Sequence, residues 1–192
     1  VDGDITTAEI FEYVSKTGVL PKTSAVNEAQ FVEFFEETLK DCDAIIHFDI
    51  SGEMSTTCNN AINASKQFDG KVEVIDSRAL STGVALLAIY ARKLTETESD
   101  IKVIAEKVRN RTNDLQVSFV IERLDYLHKG GRCSSLALFG ANLLKLRPRI
   151  VVKEGKMGAD KKYRGNMEKV IAKYCEETLN EFDTPDLDKV FV

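Results

Sequence analysis

The chain has 192 residues, 43% hydrophobic and 30% charged, with a formal net charge of −5. That balance excludes a disordered segment and a basic nucleic-acid surface, and the length allows one large domain or two small ones with a real core. The longest strongly apolar stretch, Val84 to Ala91 (VALLAIYA), falls far short of the roughly 18 to 20 residues of a membrane span.

Thr6 and Glu9 form the capping-box pattern of a helix that runs to about Ser15 and stops at Gly18. Leu20 to Val26 (LPKTSAV) reads as extended, because Pro21 disfavours helix for its predecessor and Thr23-Ser24 prefer local side-chain bonds. Asn27 caps a second helix, Glu28 to Lys40, with Phe31, Phe34, Phe35 and Leu39 as its apolar stripe. Asp43 to Ile50 (DAIIHFDI) reads as a strand, broken by Ser51-Gly52 and followed by a helix from Ser55 to Phe68.

The start of that helix is rich in hydroxyls: Ser55, Thr56 and Thr57. A helix N-terminus carries unpaired N–H groups and the positive end of its dipole, so it favours an anion. Ser and Thr are equally ordinary caps, so Ser55 either caps its own helix or helps hold a ligand.

The pattern repeats after Asp69-Gly70: Val72 to Ile75 is a strand, Asp76-Ser77-Arg78 a loop, and Leu80 to Leu94 a long helix. Ile101 to Arg109 is an amphipathic helix, and Leu115 to Ile121 (LQVSFVI) reads as a third strand of the same parallel sheet. Ligands of such sheets bind at the carboxyl ends of the strands, where Ser51-Gly52, Asp76-Ser77 and Glu122 are expected to meet.

A short helix, Glu122 to Lys129, closes at Gly130-Gly131 ahead of Arg132, and the apolar Leu136 to Leu146 reads as a buried helix. Arg149 to Lys153 and the following Glu154-Gly155 read as a strand and hairpin turn, which marks a domain change near residue 146. Asn166 caps a final helix, Met167 to Leu179, and Asp188 to Val192 reads as the start of another strand. The first residue is Val1, so the chain reads as part of a longer protein lacking residues at both ends.

Cys42, Cys58, Cys133 and Cys175 show no CxxC spacing, so no metal site is expected, and reduced thiols fit a cytoplasmic protein. GxGxxG, GxxxxGK and GxSxG are absent from the sequence. Only His47 and His128 could serve a Ser/His/Asp triad.

Five blocks in order resemble the DegV family of bacterial fatty-acid-binding proteins. They are Pro21 to Ser24, Ser51-Gly52 with Ser55 to Ala61, Val74 to Ser77, Leu124 to Arg132, and Leu146 to Pro148 with Gly155-Lys156. The resemblance implies an α/β, two-domain DegV-like (EDD) fold, truncated at both ends. Residues 1–146 would form a parallel-sheet first domain with helices on both faces, lacking its N-terminal strand, and 147–192 part of a smaller α/β second domain.

The resemblance further implies a lipid carrier with no catalytic residues and no cofactor. A long-chain fatty acid such as palmitate, stearate or oleate would lie in an interdomain tunnel, its carboxylate held by Thr23, Ser24, Ser55 and Thr57. A partner fatty acid kinase would phosphorylate it, with Arg132 contacting the partner or the developing phosphate. Leu136, Leu138, Phe139 and Leu143, with parts of the 80–94 helix, are candidate tunnel walls. The chain departs from the family at Thr56, where glycine is usual, and at Cys58 and Asn60, where Tyr and Ser are common. The competing reading is an acyl or phosphoryl transferase with Ser55 or Cys58 as nucleophile.

Overall fold

The structure is a computed structural model that describes residues 4–133 and 146–191. Two strands, β1 (Ile45–Asp49) and β2 (Val72–Asp76), pair in parallel from Ile45 opposite Val72 to Asp49 opposite Asp76. Helix α3 (Thr57–Ser65), extended by a 3-10 turn (Lys66–Phe68), connects them, as parallel strands require.

Side chains alternate across a strand, and the helices sort accordingly. Val72 and Val74 pack with Phe31 and Phe35 of α2 (Glu28–Thr38) and with Cys58, Ala61 and Ala64 of α3. On the other face, Ile75, Ile46 and Phe48 pack with Leu87 and Ala91 of α4 (Thr82–Leu94) and Ile104, Ala105 and Val108 of α5 (Ile101–Arg111). A parallel sheet with helices on both faces is therefore present, as the sequence predicts.

The caps also fall where local chemistry puts them. Thr6 and Glu9 close a capping box on α1 (Thr7–Thr17), which ends at Gly18 with φ 69°. Asn27 and Gln30 form a second capping box on α2, and Asn166 accepts from the Lys169 amide at the start of α7 (Met167–Leu179).

The third strand requires a correction. Leu115 to Ile121 does not extend the parallel sheet: β3 (Ser118–Val120) pairs antiparallel with β4 (Arg147–Lys153), and β4 pairs antiparallel with β5 (Lys156–Tyr163). A short apolar strand carries no local mark of its partner, and the hairpin β4–β5 supplies the available edge. Glu122 consequently follows a strand of the antiparallel sheet and does not join the carboxyl edge of β1 and β2.

One face of this second sheet packs Phe119, Ile150, Met157 and Ala159 against Leu124 and Leu127, at and within α6 (Asp125–Gly130). Next to Ile150, Arg149 is 2% exposed, and its guanidinium binds Asp160 and Glu181. The Tyr174 hydroxyl of α7 donates to the Ser118 carbonyl at 2.8 Å.

Asp188 to Phe191, expected to open a strand, is irregular. Of the apolar helix expected over residues 136–146, all but Leu146 lies outside the described residues, as do the wall candidates Leu136, Leu138, Phe139 and Leu143.

The antiparallel sheet meets the parallel one at several places. Gly83 of α4 faces the segment before β3 so closely that a Cβ would sit 2.6 Å from Val117. Arg111 reaches Asp186 at 2.8 Å, and Lys156 reaches Glu53 at 3.1 Å.

Candidate functional site

The end of β1 and the start of α3 form a tight loop around Ser51, which is fully buried. Its N–H donates to the Ala79 carbonyl at 2.9 Å, and its own carbonyl accepts from Met54 at 2.9 Å and Ser55 at 3.2 Å. Its hydroxyl accepts from the Glu53 amide at 3.2 Å. This one residue therefore sets the path of the chain into α3.

Asp76, at the end of β2, ties the neighbouring loop to this one. Its carboxylate accepts from the Gly52 amide at 3.3 Å and from the Arg78 amide at 2.8 Å. Part of the donor-rich carboxyl edge of the sheet is thus satisfied by the protein's own anion.

At the helix start itself two hydroxyls stand side by side. Ser55 Oγ and Thr57 Oγ1 lie 2.9 Å apart, and Ser55 Oγ accepts the Thr57 amide at 3.2 Å. The residue in the N-cap place is Thr56, whose side chain makes no capping bond. Ser55 therefore satisfies a helix-start N–H while its hydroxyl stays half-buried beside a second one. The two sequence readings, cap and ligand donor, are compatible at this residue.

Thr23 and Ser24 are exposed, on the extended segment between α1 and α2. The end of that segment is fastened to α3, because the Asn60 side-chain amide donates to the Val26 carbonyl at 2.7 Å. The structure thus brings Ser55 and Thr57 into contact and attaches the Thr23 segment to the same helix. Arg132 sits on an exposed turn after α6, donating to the Gly130 carbonyl at 2.6 Å.

Neither nucleophile of the transferase reading is equipped for that role. Cys58 is fully buried, and desolvation, reinforced by Asp76 and Asp49, pushes its thiol up to about 12, so it stays protonated. The described hydrogen-bond partners of the Ser55 side chain are both groups of Thr57, which supply no base. His47 is engaged elsewhere: Nε2 lies 3.2 Å from Asp49, and its ring packs edge-on against Phe31 and Phe35.

Among the described residues no group of three or more His, Cys, Asp or Glu side chains is placed to hold a metal ion. Among the same residues no helix is long and apolar enough to cross a membrane. A cleft of about 660 Å³ opens between β1, α4 and α5, lined in part by Ile46, Phe48, Ala88, Ala91 and Ile104. Thr23, Ser24, Ser55 and Thr57 take no part in its walls.

Sequence reasoning missed Ser51 as the organiser of the loop and Asp76 as its internal anion. The Ser-Gly and Asp-Ser pairs at the two strand ends carry the signal, since a Gly beside a strand end marks a close approach of backbone to another group.

A parallel sheet flanked by helices, joined to an antiparallel sheet and carrying hydroxyls at the β1–α3 turn, defines the class. Over residues 1–190 the chain matches the family model described as "Uncharacterised protein, DegV family", and it belongs to the DegV family. It is 28% identical over 198 residues to a DegV domain-containing protein of Clostridium perfringens, covering 100% of this chain and 67% of that protein. It is 31% identical over 185 residues to a Thermotoga maritima protein named fatty acid-binding protein, covering 95% of this chain and 63% of the relative.

Among solved structures, a DegV family protein from Thermus thermophilus described for its fatty acid binding superposes with a TM-score of 0.82 at 29% identity. That match covers 94% of this chain and 64% of the other. The chain thus spans between 63% and 67% of the length of these three proteins. The Thermotoga and Thermus relatives are named for binding a fatty acid, not for catalysis.

Proposed function

We propose that this chain binds a long-chain fatty acid, with the carboxylate held by Ser55 and Thr57 and by Thr23 and Ser24 from the neighbouring segment. The observation that carries the reading is the pair of adjacent hydroxyls at the first turn of α3, in a chain whose relatives include named fatty-acid-binding proteins. A carboxylate leaving water needs several donors, and hydroxyls beside a helix start supply them without a full opposite charge. The alkyl tail supplies the affinity. At roughly 0.8 kcal/mol per buried CH₂, a chain of about 16 carbons gains on the order of 10 kcal/mol before ordering costs are subtracted.

The bound acid would run in a tunnel between the two sheets and be presented to a fatty acid kinase in the cytoplasm, which forms the acyl phosphate. The division between the units is expected near residue 146, and the sharing of one sheet by β3, β4 and β5 supports a reading in which it falls earlier, between Asp114 and Ser118. Such a division would put Arg132 on the second unit, exposed where a partner's phosphate could meet it.

Native mass spectrometry of protein purified without added lipid tests the reading. A co-purifying, noncovalent fatty acid is expected. A covalent acyl adduct would favour a transferase, and protein that neither carries nor takes up a fatty acid would overturn the proposal. For the partner role, Arg132→Ala should leave lipid binding within about threefold while reducing acyl-phosphate formation by a cognate kinase. Loss of lipid binding would place Arg132 at the lipid instead.

A further inference from the structure

The hairpin of the second sheet ends against the headgroup loop of the first. The β4–β5 connection has two residues, Glu154 at φ 51° and Gly155 at φ 78°, the doubly positive pair of a tight type I′ turn. Gly155 faces Ser51. A Cβ at residue 155 would overlap the Ser51 hydroxyl oxygen and lie 3.3 Å from Glu53 Cγ. Beside it, Lys156 Nζ lies 3.1 Å from Glu53 Oε2, so the turn holds the loop at two adjacent residues.

Ser51 is the residue whose carbonyl receives the Ser55 amide and whose hydroxyl receives the Glu53 amide. Displacing Ser51 therefore reaches Glu53 through the hydroxyl, and Met54 and Ser55 through the carbonyl.

We propose that Gly155 is a positioning residue for the anion site: the absence of a side chain there lets the hairpin seat on Ser51 and fix the Ser55 hydroxyl beside Thr57. The second sheet thereby sets headgroup affinity without touching the ligand. This rests on the fatty-acid reading for its ligand, while its mechanical half, the coupling of Gly155 to the Ser55 amide, stands without it.

Gly155→Ala is the test, with Gly131→Ala as control for the backbone cost, since Gly131 has φ 73° but no atom of the described residues within 4 Å of its Cβ position. Hexadecanoic acid and hexadecan-1-ol, each delivered from cyclodextrin, are titrated by calorimetry. Gly155→Ala is expected to weaken the acid at least tenfold and the alcohol less than threefold, and Gly131→Ala to change neither by more than threefold. In Ser51→Ala/Gly155→Ala the overlap is gone, so acid affinity should return to within threefold of Ser51→Ala alone.

Without ligand, amide exchange at Ser55 should rise at least fivefold in Gly155→Ala. The same rise is expected in Lys156→Glu, which opposes like charges at Glu53 and serves if Gly155→Ala does not fold. Equal loss of acid and alcohol, no rescue in the double variant, or unchanged Ser55 exchange in both single variants would each overturn the proposal. Wild-type protein that binds neither lipid would sink the ligand reading, and the exchange measurements would still decide the mechanical half.

Discussion

Ser55 carries two jobs with one oxygen, accepting the Thr57 amide and meeting the Thr57 hydroxyl. Ser55→Ala removes both, and leaving a carboxylate one donor short should weaken fatty-acid binding by about 1 to 3 kcal/mol, measured by calorimetry. Unchanged affinity would move the headgroup elsewhere. Cys58, three residues on, offers a contrast that can be read by labelling. Its thiol is buried and lifted by desolvation, whereas Cys42 is exposed, so iodoacetamide at pH 8 should modify Cys42 and spare Cys58 in native protein. Mass spectrometry of the digested protein checks this, and comparable modification of both would contradict the burial.

Element by element, what could be read from sequence was what is decided locally. Thr6 with Glu9, Asn27 and Asn166 each sit within three residues of the amide they receive, and Gly18 ends α1 by its own backbone freedom. Thr6→Ala should accordingly cost α1 about 1 kcal/mol, seen as faster amide exchange at Glu9 and Ile10. Sheet membership was not legible. LQVSFVI puts Leu115, Val117, Phe119 and Ile121 on one face and Gln116 and Ser118 on the other, a pattern that suits either kind of sheet, and its partner Ile150 lies 31 positions beyond Phe119, in a hairpin that no local pattern links to it. The candidate site divides the same way. Its hydroxyls were visible as a cluster in the chain, while Ser51, Asp76 and Gly155 acquire their roles only when two loops and a hairpin tip converge.

For the molecule as a whole, the second sheet is fastened to the tail after α7 by the buried Arg149. The side chains of Asp160 and Glu181 remain 25% and 34% exposed, so the cluster is only partly shielded from water. Arg149→Met should destabilise the protein by roughly 2 to 4 kcal/mol, below the cost of breaking a fully buried pair. Hydrogen bonds from the guanidinium hold both carboxyl groups below their ordinary values of 3.8 and 4.5. Groups with depressed folded values stabilise above the ordinary range and lose that contribution as the pH falls through their folded values. Denaturant titration of both proteins at pH 7 and pH 3 should show the gap between them narrowing in acid. A constant gap would mean that packing, not charge, is what Arg149 supplies.

Asp49 and Asp76 end adjacent strands in register, and both act on the Cys58 thiol in the first turns of α3. On the proposed reading the acid would lodge at the same sheet edge as these two carboxylates, whose charge opposes the favourable contribution of the hydroxyls. Neutralising one of them, as in Asp49→Asn, should then leave acid binding no weaker, and a loss of affinity by calorimetry would show that the pair does not repel the guest.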